Sequence, residues 1–190
     1  MLRQQYHRLL ELREQMLEDW DANNRDWTQP GLRALVVHRF GVWRQSLPSG
    51  VLQSLASMLY RCMFRYVRNH YGIELPATTT VGRRLRLAHQ GGIVIHPFAV
   101  IGDNCLIRHN VTIGAVSDDR WREAPKLGHR VQVGCGAAIL GPVTIGDGVR
   151  IGANAVVMMN VPAGASVFAP PSRIIKLAKP QEVSQEVELS

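Results

Sequence analysis

The chain has 190 residues, 46% of them hydrophobic, with 22 Lys and Arg against 15 Asp and Glu, a length for one domain or one domain with a small helical cap. Its net charge of +7 invites nucleic acid or an anionic membrane as partner, yet there is no basic stripe interleaved with aromatics and no run of the roughly 18 apolar residues that a membrane span needs. An anionic, phosphate-bearing small ligand suits the charge better, and three cysteines without a C-x-x-C pair (Cys62, Cys105, Cys135) speak for a reducing compartment.

In chain order, residues 1–19 carry Leu2, Leu9, Leu12 and Met16 near helical spacing and predict a charged helix. The opening residues show no apolar signal core, so a cytoplasmic location is expected. A polar break from Asp19 to Pro30 precedes a second predicted helix, Gly31 to Leu47, which Pro48-Ser49-Gly50 ends. A third spans Val51 to Tyr71, with Gly72 as its C-terminal cap. Arg61, Arg65 and Arg68 share one face of it; a solvated face is favoured over contact with a membrane surface.

From Ile73 to about Pro162 aliphatic residues recur every six positions. Leu127, Val133, Ile139, Ile145, Ile151 and Val157 share one register. Ile95, Ile101, Ile107 and Ile113 share a second, and Leu75, Val81, Leu87 and Ile93 a third. This period predicts a parallel β-helix, in which each unit is a short strand plus a corner and inward aliphatics stack from coil to coil. The expected division is an α-helical domain over 1–72, a β-helix over 73–178 and a flexible tail over 179–190.

The register breaks twice. One break falls at His89-Gln90-Gly91-Gly92. The other lies between Ile113 and Leu127, a step of 14 residues where 12 would keep register, and it contains the polar run Ser117 to Glu123. Local rules tend to fail at functional sites, so chemistry is expected there. His89 is positioned to present its ring from a corner, and Glu74, 15 residues earlier, sits close to one coil away. A carboxylate that orients an imidazole makes it a general base; the spacing alone leaves a structural histidine equally open. His109 lies 20 residues after His89, about one further coil. His96 precedes Pro97, and His129 is expected at the surface. His7, His38 and His70 fall in the helical part. No histidine pair has the spacing of a zinc site, so no metal is expected, and no Gly-x-Ser-x-Gly elbow marks a serine nucleophile.

Ile73-Glu74-Leu75-Pro76 and Leu87-Ala88-His89-Gln90-Gly91-Gly92-Ile93-Val94-Ile95 resemble segments of the serine O-acetyltransferases. So do Val111-Thr112-Ile113-Gly114, Pro125-Lys126-Leu127-Gly128, Gly134-Cys135-Gly136-Ala137, the helical motif around Gly31 to Trp43, and Val161-Pro162 through Ile175. The resemblance covers most of the chain. It implies a left-handed β-helix, an exception to the usual crossover hand, and a homotrimer, with a dimer of trimers as a further option. Acetyl-CoA would lie in the groove between subunits. Glu74 becomes the orienting carboxylate of His89, which takes the acceptor hydroxyl proton without an acyl-enzyme. Amides near Gly114 and Ala115 would face the thioester oxyanion. Cys135 and Ala153 match contacts to the pantetheine arm, Arg173 is assigned to the same co-substrate, and Asp26 matches an acceptor-site carboxylate.

Departures from the pattern are informative. The family's Asp before the catalytic His is Ala88, and its Arg-His pair before Pro-Lys is Glu123-Ala124. Those side chains hold the charged ends of free serine, whose zwitterion binds poorly without them. The sequence ends in Leu189-Ser190 without the family's terminal Ile, so no sulfhydrylase docking is expected. Kept catalytic pair and lost clamp resemble the branch associated with exopolysaccharide biosynthesis. The expectation is a sugar hydroxyl as acceptor, reached by Asp26, His109 or Glu123. The alternatives are L-serine as acceptor and a non-catalytic β-helix scaffold.

Overall fold

A computed structural model describes residues 2–173. The end of the expected β-helix, residues 174–178, and the tail from residue 179 lie outside the described residues. Three helices open the chain: α1 (Leu2–Ala22), α2 (Pro30–Gln45) and α3 (Val51–Tyr71). α1 runs past its expected end, where the buried Asn23 side chain donates to the carbonyls of Asp19 (2.7 Å) and Leu85 (3.2 Å). That amide closes the helix and ties it to the ladder. Proline begins α2, its ring already holding a helical φ. α2 stops at Gln45, short of Leu47, because the Ser46 hydroxyl donates to the Trp43 carbonyl at 2.7 Å and satisfies a terminal acceptor. α3 ends as expected: Gly72, at φ 62°, donates its N–H to Arg68.

Fourteen short strands follow among the described residues: β1 (Ile73–Glu74), β2 (Thr80–Val81), β3 (Arg86–Ala88), β4 (Ile93–Ile95), β5 (Val100–Ile101), β6 (Leu106–Arg108), β7 (Thr112–Gly114), β8 (Lys126–Leu127), β9 (Gln132–Val133), β10 (Ala138–Leu140), β11 (Thr144–Ile145), β12 (Arg150–Ile151), β13 (Val156–Val157) and β14 (Ser166–Val167). Up to β13 successive strands visit three parallel sheets in turn; β14 rejoins the third after Val161 bridges to Ile145 of the second. The first is β1-β4-β7-β10-β13, the second β2-β5-β8-β11 and the third β3-β6-β9-β12-β14. This is the expected parallel β-helix. Its inward ladders are those of the six-residue register: Ile95, Ile113, Ile139 and Val157 stack in the first sheet. Val81, Ile101, Leu127 and Ile145 stack in the second, and Leu87, Ile107, Val133, Ile151 and Val167 in the third. All but Val81 and Val167 are fully or nearly buried, and burial of this aliphatic column drives the fold.

One expectation needs correction. The step from Ile113 to Leu127 does not stand in for two repeats. Ile113 lies in the first sheet and Leu127 in the second, so the 14 residues replace a single six-residue corner. The surplus forms an arm over residues 115–125 with a short 3₁₀ turn at Asp118–Arg120, and Trp121 packs on Phe98 and His96.

The helices close the N-terminal end of the solenoid. Arg39, 3% exposed, donates to the Asp19 carboxylate at 2.8 Å and to the Val81 and Gly82 carbonyls. Burial pushes the Asp19 carboxyl up from the ordinary range, against the opposing pull of Arg39. His38 stands 3.0 Å from the Thr79 carbonyl, and the Tyr60 hydroxyl accepts the Ala77 N–H at 2.9 Å. The N-terminus of α2 sits directly on β3: a Cβ on Gly31 would fall on the Leu87 carbonyl. Cap and solenoid therefore share one core.

Candidate active site

His89 follows β3 at the corner between the third and first sheets. It has φ +70°, a left-handed conformation that the corners of this solenoid also give to Arg84, Asn104, Asn110, Arg130 and Asn154. The corner is held on both sides. The N–H of Gly91 donates to Tyr71 (2.9 Å), that of Ile93 to Gly72 (3.0 Å), and that of Asn110 to Gly91 (2.9 Å). Gly92, at φ +64°, leaves no room for a side chain, since its Cβ would meet Asn110 Oδ1. The two glycines that break the register thus let the corner carry an exposed imidazole.

A cleft of about 700 Å³ opens beside it, between the outer face of the third sheet and the start of α2. Thr28, Gln29, Pro30 and Gly31 form one wall; Arg86, Ala88, His89, Arg108 and His109 form the other. His109 stands edge-on to His89 with ring centroids 5.5 Å apart. Its buried Nδ1 has no hydrogen-bond partner.

The remaining expected site residues fall in three places. Cys135 and Ala153 continue the His89 corner down the solenoid: Gly136 N–H donates to the His109 carbonyl and Asn154 N–H to the Cys135 carbonyl. Asp26 lies in the turn before α2, where its carboxylate accepts from the Thr28 N–H (2.9 Å), the Thr28 hydroxyl (2.6 Å) and Gln29. The Thr28 bonds hold the Asp26 carboxyl below the usual carboxylate range. It fixes the two residues that line the cleft without lining the cleft itself. Gly114, Ala115 and Glu123 lie at the opposite edge of the first sheet, where Glu123 pairs with Arg120 at 2.6 Å. A single chain does not bring them to His89.

Glu74 is half-buried on β1, in register with Val94. It does not line the cleft, and no hydrogen bond links it to His89 among the described residues. Arg173 is exposed at the end of the described residues. No group of His, Cys, Asp and Glu suited to a metal ion occurs among the described residues.

Arg86, Arg108 and the start of α2 were not anticipated from the sequence. Their signal was present. Each arginine occupies an outward position next to an inward ladder residue, Leu87 or Ile107, and within three residues of a cleft histidine, His89 or His109.

The three-sheet solenoid with a histidine at an open corner defines the chain as a hexapeptide-repeat β-helix of the bacterial transferase type. The family model described as bacterial transferase hexapeptide (six repeats) matches residues 124–158. The chain is 38% identical over 148 residues to a serine acetyltransferase of Synechococcus elongatus, covering 77% of this chain and 57% of that one. It is 33% identical over 166 residues to the serine acetyltransferase of Helicobacter pylori strain J99, covering 85% of this chain and 93% of that one. The crystal structure of serine acetyltransferase isoform 3 from Entamoeba histolytica, in complex with cysteine, superposes with a TM-score of 0.73 at 26% identity, over 91% of this chain and 64% of that chain. This chain therefore belongs to the serine acetyltransferase family. It spans less than two thirds of the length of the Synechococcus relative and of the Entamoeba structure.

Proposed function

We propose that this chain is an acetyl-CoA-dependent O-acetyltransferase with His89 as its general base. The acceptor hydroxyl gives its proton to the imidazole as its oxygen attacks the thioester carbonyl. The tetrahedral adduct then collapses, the C–S bond breaks, and the departing thiolate takes the proton back from the imidazolium. Glu74 is assigned the orienting role by its match to the family pattern, and its strand adjoins the corner that carries His89, which is bonded to Tyr71 and Gly72 just before it. The amides at Gly114 and Ala115 face the developing oxyanion, and Cys135, Ala153 and Arg173 follow the co-substrate. The observation that carries the proposal is an exposed His89 at a corner that faces an open cleft, on a chain of this family.

Groups that this chemistry needs lie on opposite edges of the first sheet: His89, His109, Cys135 and Ala153 on one, Gly114, Ala115 and Glu123 on the other. The site is completed when one edge meets the other edge of a neighbouring copy, which a cyclic homotrimer achieves.

L-Serine is the acceptor that the names of the relatives support, and the comparisons back it better than the sugar hydroxyl expected from the sequence. The sugar reading keeps one observation in its favour: Ala88, Glu123 and Ala124 stand where the family holds the serine zwitterion. Thiol release from acetyl-CoA tests both. A Michaelis constant for L-serine at or below about a millimolar, within the usual enzyme range, establishes the serine reading. Turnover with a hexose acceptor and none with L-serine restores the sugar. If neither is acetylated and acetyl-CoA does not bind in a titration, the chain is a non-catalytic scaffold.

A further inference from the structure

We infer that the acceptor bound beside His89 carries an anionic group, a carboxylate or a phosphate, held by Arg86 and Arg108. The word acceptor rests on the acetyl-transfer reading above; the anion site rests on the cleft alone. Strand alternation turns Leu87 and Ile107 into the core and leaves Arg86, Ala88 and Arg108 outside, with Ala88 directly opposite Arg108 in register. Ala88, just before His89, therefore shares the outer face of the third sheet and the lining of the cleft with both arginines. Other arginines of this end are neutralised: Arg39 by Asp19, and Arg83 and Arg84 by Glu18. Arg86 and Arg108 form no salt bridge among the described residues, and the enclosed Nε of Arg86 has no hydrogen-bond partner. An enclosed guanidinium nitrogen without a partner marks a place where an acceptor oxygen belongs.

The opposite wall adds to the same potential. Pro30 and Gly31 begin a 16-residue helix whose N-cap, Gln29, makes no side-chain cap; proline has no N–H and that of Gln29 donates to the Asp26 carbonyl, so what this wall turns to the cleft is the positive dipole end of the helix at Gly31. No carboxylate lines the cleft. Two arginines, a helix N-terminus and a lining without carboxylates, with Asp26 turned to Thr28 and Gln29 behind the wall, together select an oxyanion. The phosphates of CoA do not fill this place, because the pantetheine arm holds them away from the thioester, whereas these arginines share the cleft with the base. The anion must belong to the molecule whose hydroxyl reacts. The carboxylate of L-serine and the phosphate of a sugar phosphate both fit. The cation missing at Glu123 and Ala124 is thus supplied from the third sheet.

Calorimetric titration of inorganic phosphate into the wild-type chain and into R86Q/R108Q tests the site. Saturable binding to wild type, weakened at least about tenfold in the double variant (about 1.4 kcal/mol) and retained in R86K/R108K, is the expected result. Steady-state kinetics with two matched pairs, L-serine against L-serinamide and glucose 6-phosphate against glucose, identify the source of the anion. The anionic member of the pair that turns over should have the lower KM, and R86Q/R108Q should erase that difference while CoA affinity holds. No phosphate binding to wild type, equal KM within a pair, or loss of CoA affinity in place of phosphate affinity overturns the inference. H89A separates the two readings. If it keeps full turnover while the arginine variant loses phosphate, the acetyl-transfer mechanism fails and the anion site stands. If it abolishes turnover while the arginine variant binds phosphate as wild type does, only the anion site fails.

Discussion

His89 and His38 show how one residue type takes opposite roles by position. His89 projects from a corner at φ +70° into an open cleft. H89A should lower turnover by about 10²- to 10⁴-fold, the usual worth of a general base, and E74Q by less, since it leaves the imidazole in place; CoA affinity should hold in both. Thiol-release kinetics and a CoA titration check this, and wild-type turnover in H89A refutes the mechanism. His38, 1% exposed, donates to the Thr79 carbonyl, and burial pushes its pKa down to about 4 from 6.5. The unfolded chain therefore binds a proton that the folded chain refuses between those two values. The contribution is fully present above about pH 6.5 and is lost as pH falls toward 4, by about 3 kcal/mol in total. Urea unfolding midpoints across that range should fall more steeply for wild type than for H38Q, which keeps a donor and does not titrate. Parallel slopes would contradict this account.

At the scale of elements, the decisive contact is α2 on β3. Gly31 allows it, and the same contact sets Gln29 and Pro30 along the wall of the cleft. G31A places a methyl on the Leu87 carbonyl. Forcing the elements apart should cost about 1–3 kcal/mol, read as a loss of roughly 2–4 °C in Tm per kcal/mol for a chain of this size. The acceptor KM should rise while CoA binding holds; an unchanged Tm would mean that the helix is not seated there. The three helices and the repeat were legible because each has a period: 3.6 residues for the helices and six for the corners. The arm at 115–125 was legible only as a break. Its size was misjudged because the period does not say which of three sheets a strand joins, so Leu127 could be placed one corner on or two.

For the whole molecule, the edges of the first sheet hold complementary halves of the proposed site, and assembly follows from that. Light scattering at micromolar concentration should give a mass near three chains; a monomer that still turns over acetyl-CoA would remove the shared groove. What the sequence determined by itself is what recurs along it. The aliphatic register dictates a solenoid because burying that column is the dominant favourable term and no other fold puts every sixth residue inside. His89 stood out because it interrupts that register. Which residues share its cleft was decided only in three dimensions. Arg86 and Arg108, 22 positions apart, come to line one cleft because β3 and β6 pair one coil apart, and Gln29 joins them through a helix docked across the sheet. Glu123 was expected at the acceptor and lies at another corner of the same chain, paired with Arg120. A repeat fixes what points inward, since burial is common to every coil. Which outward side chains become neighbours depends on coil length and on how the cap lands, and neither is written in any local stretch of sequence.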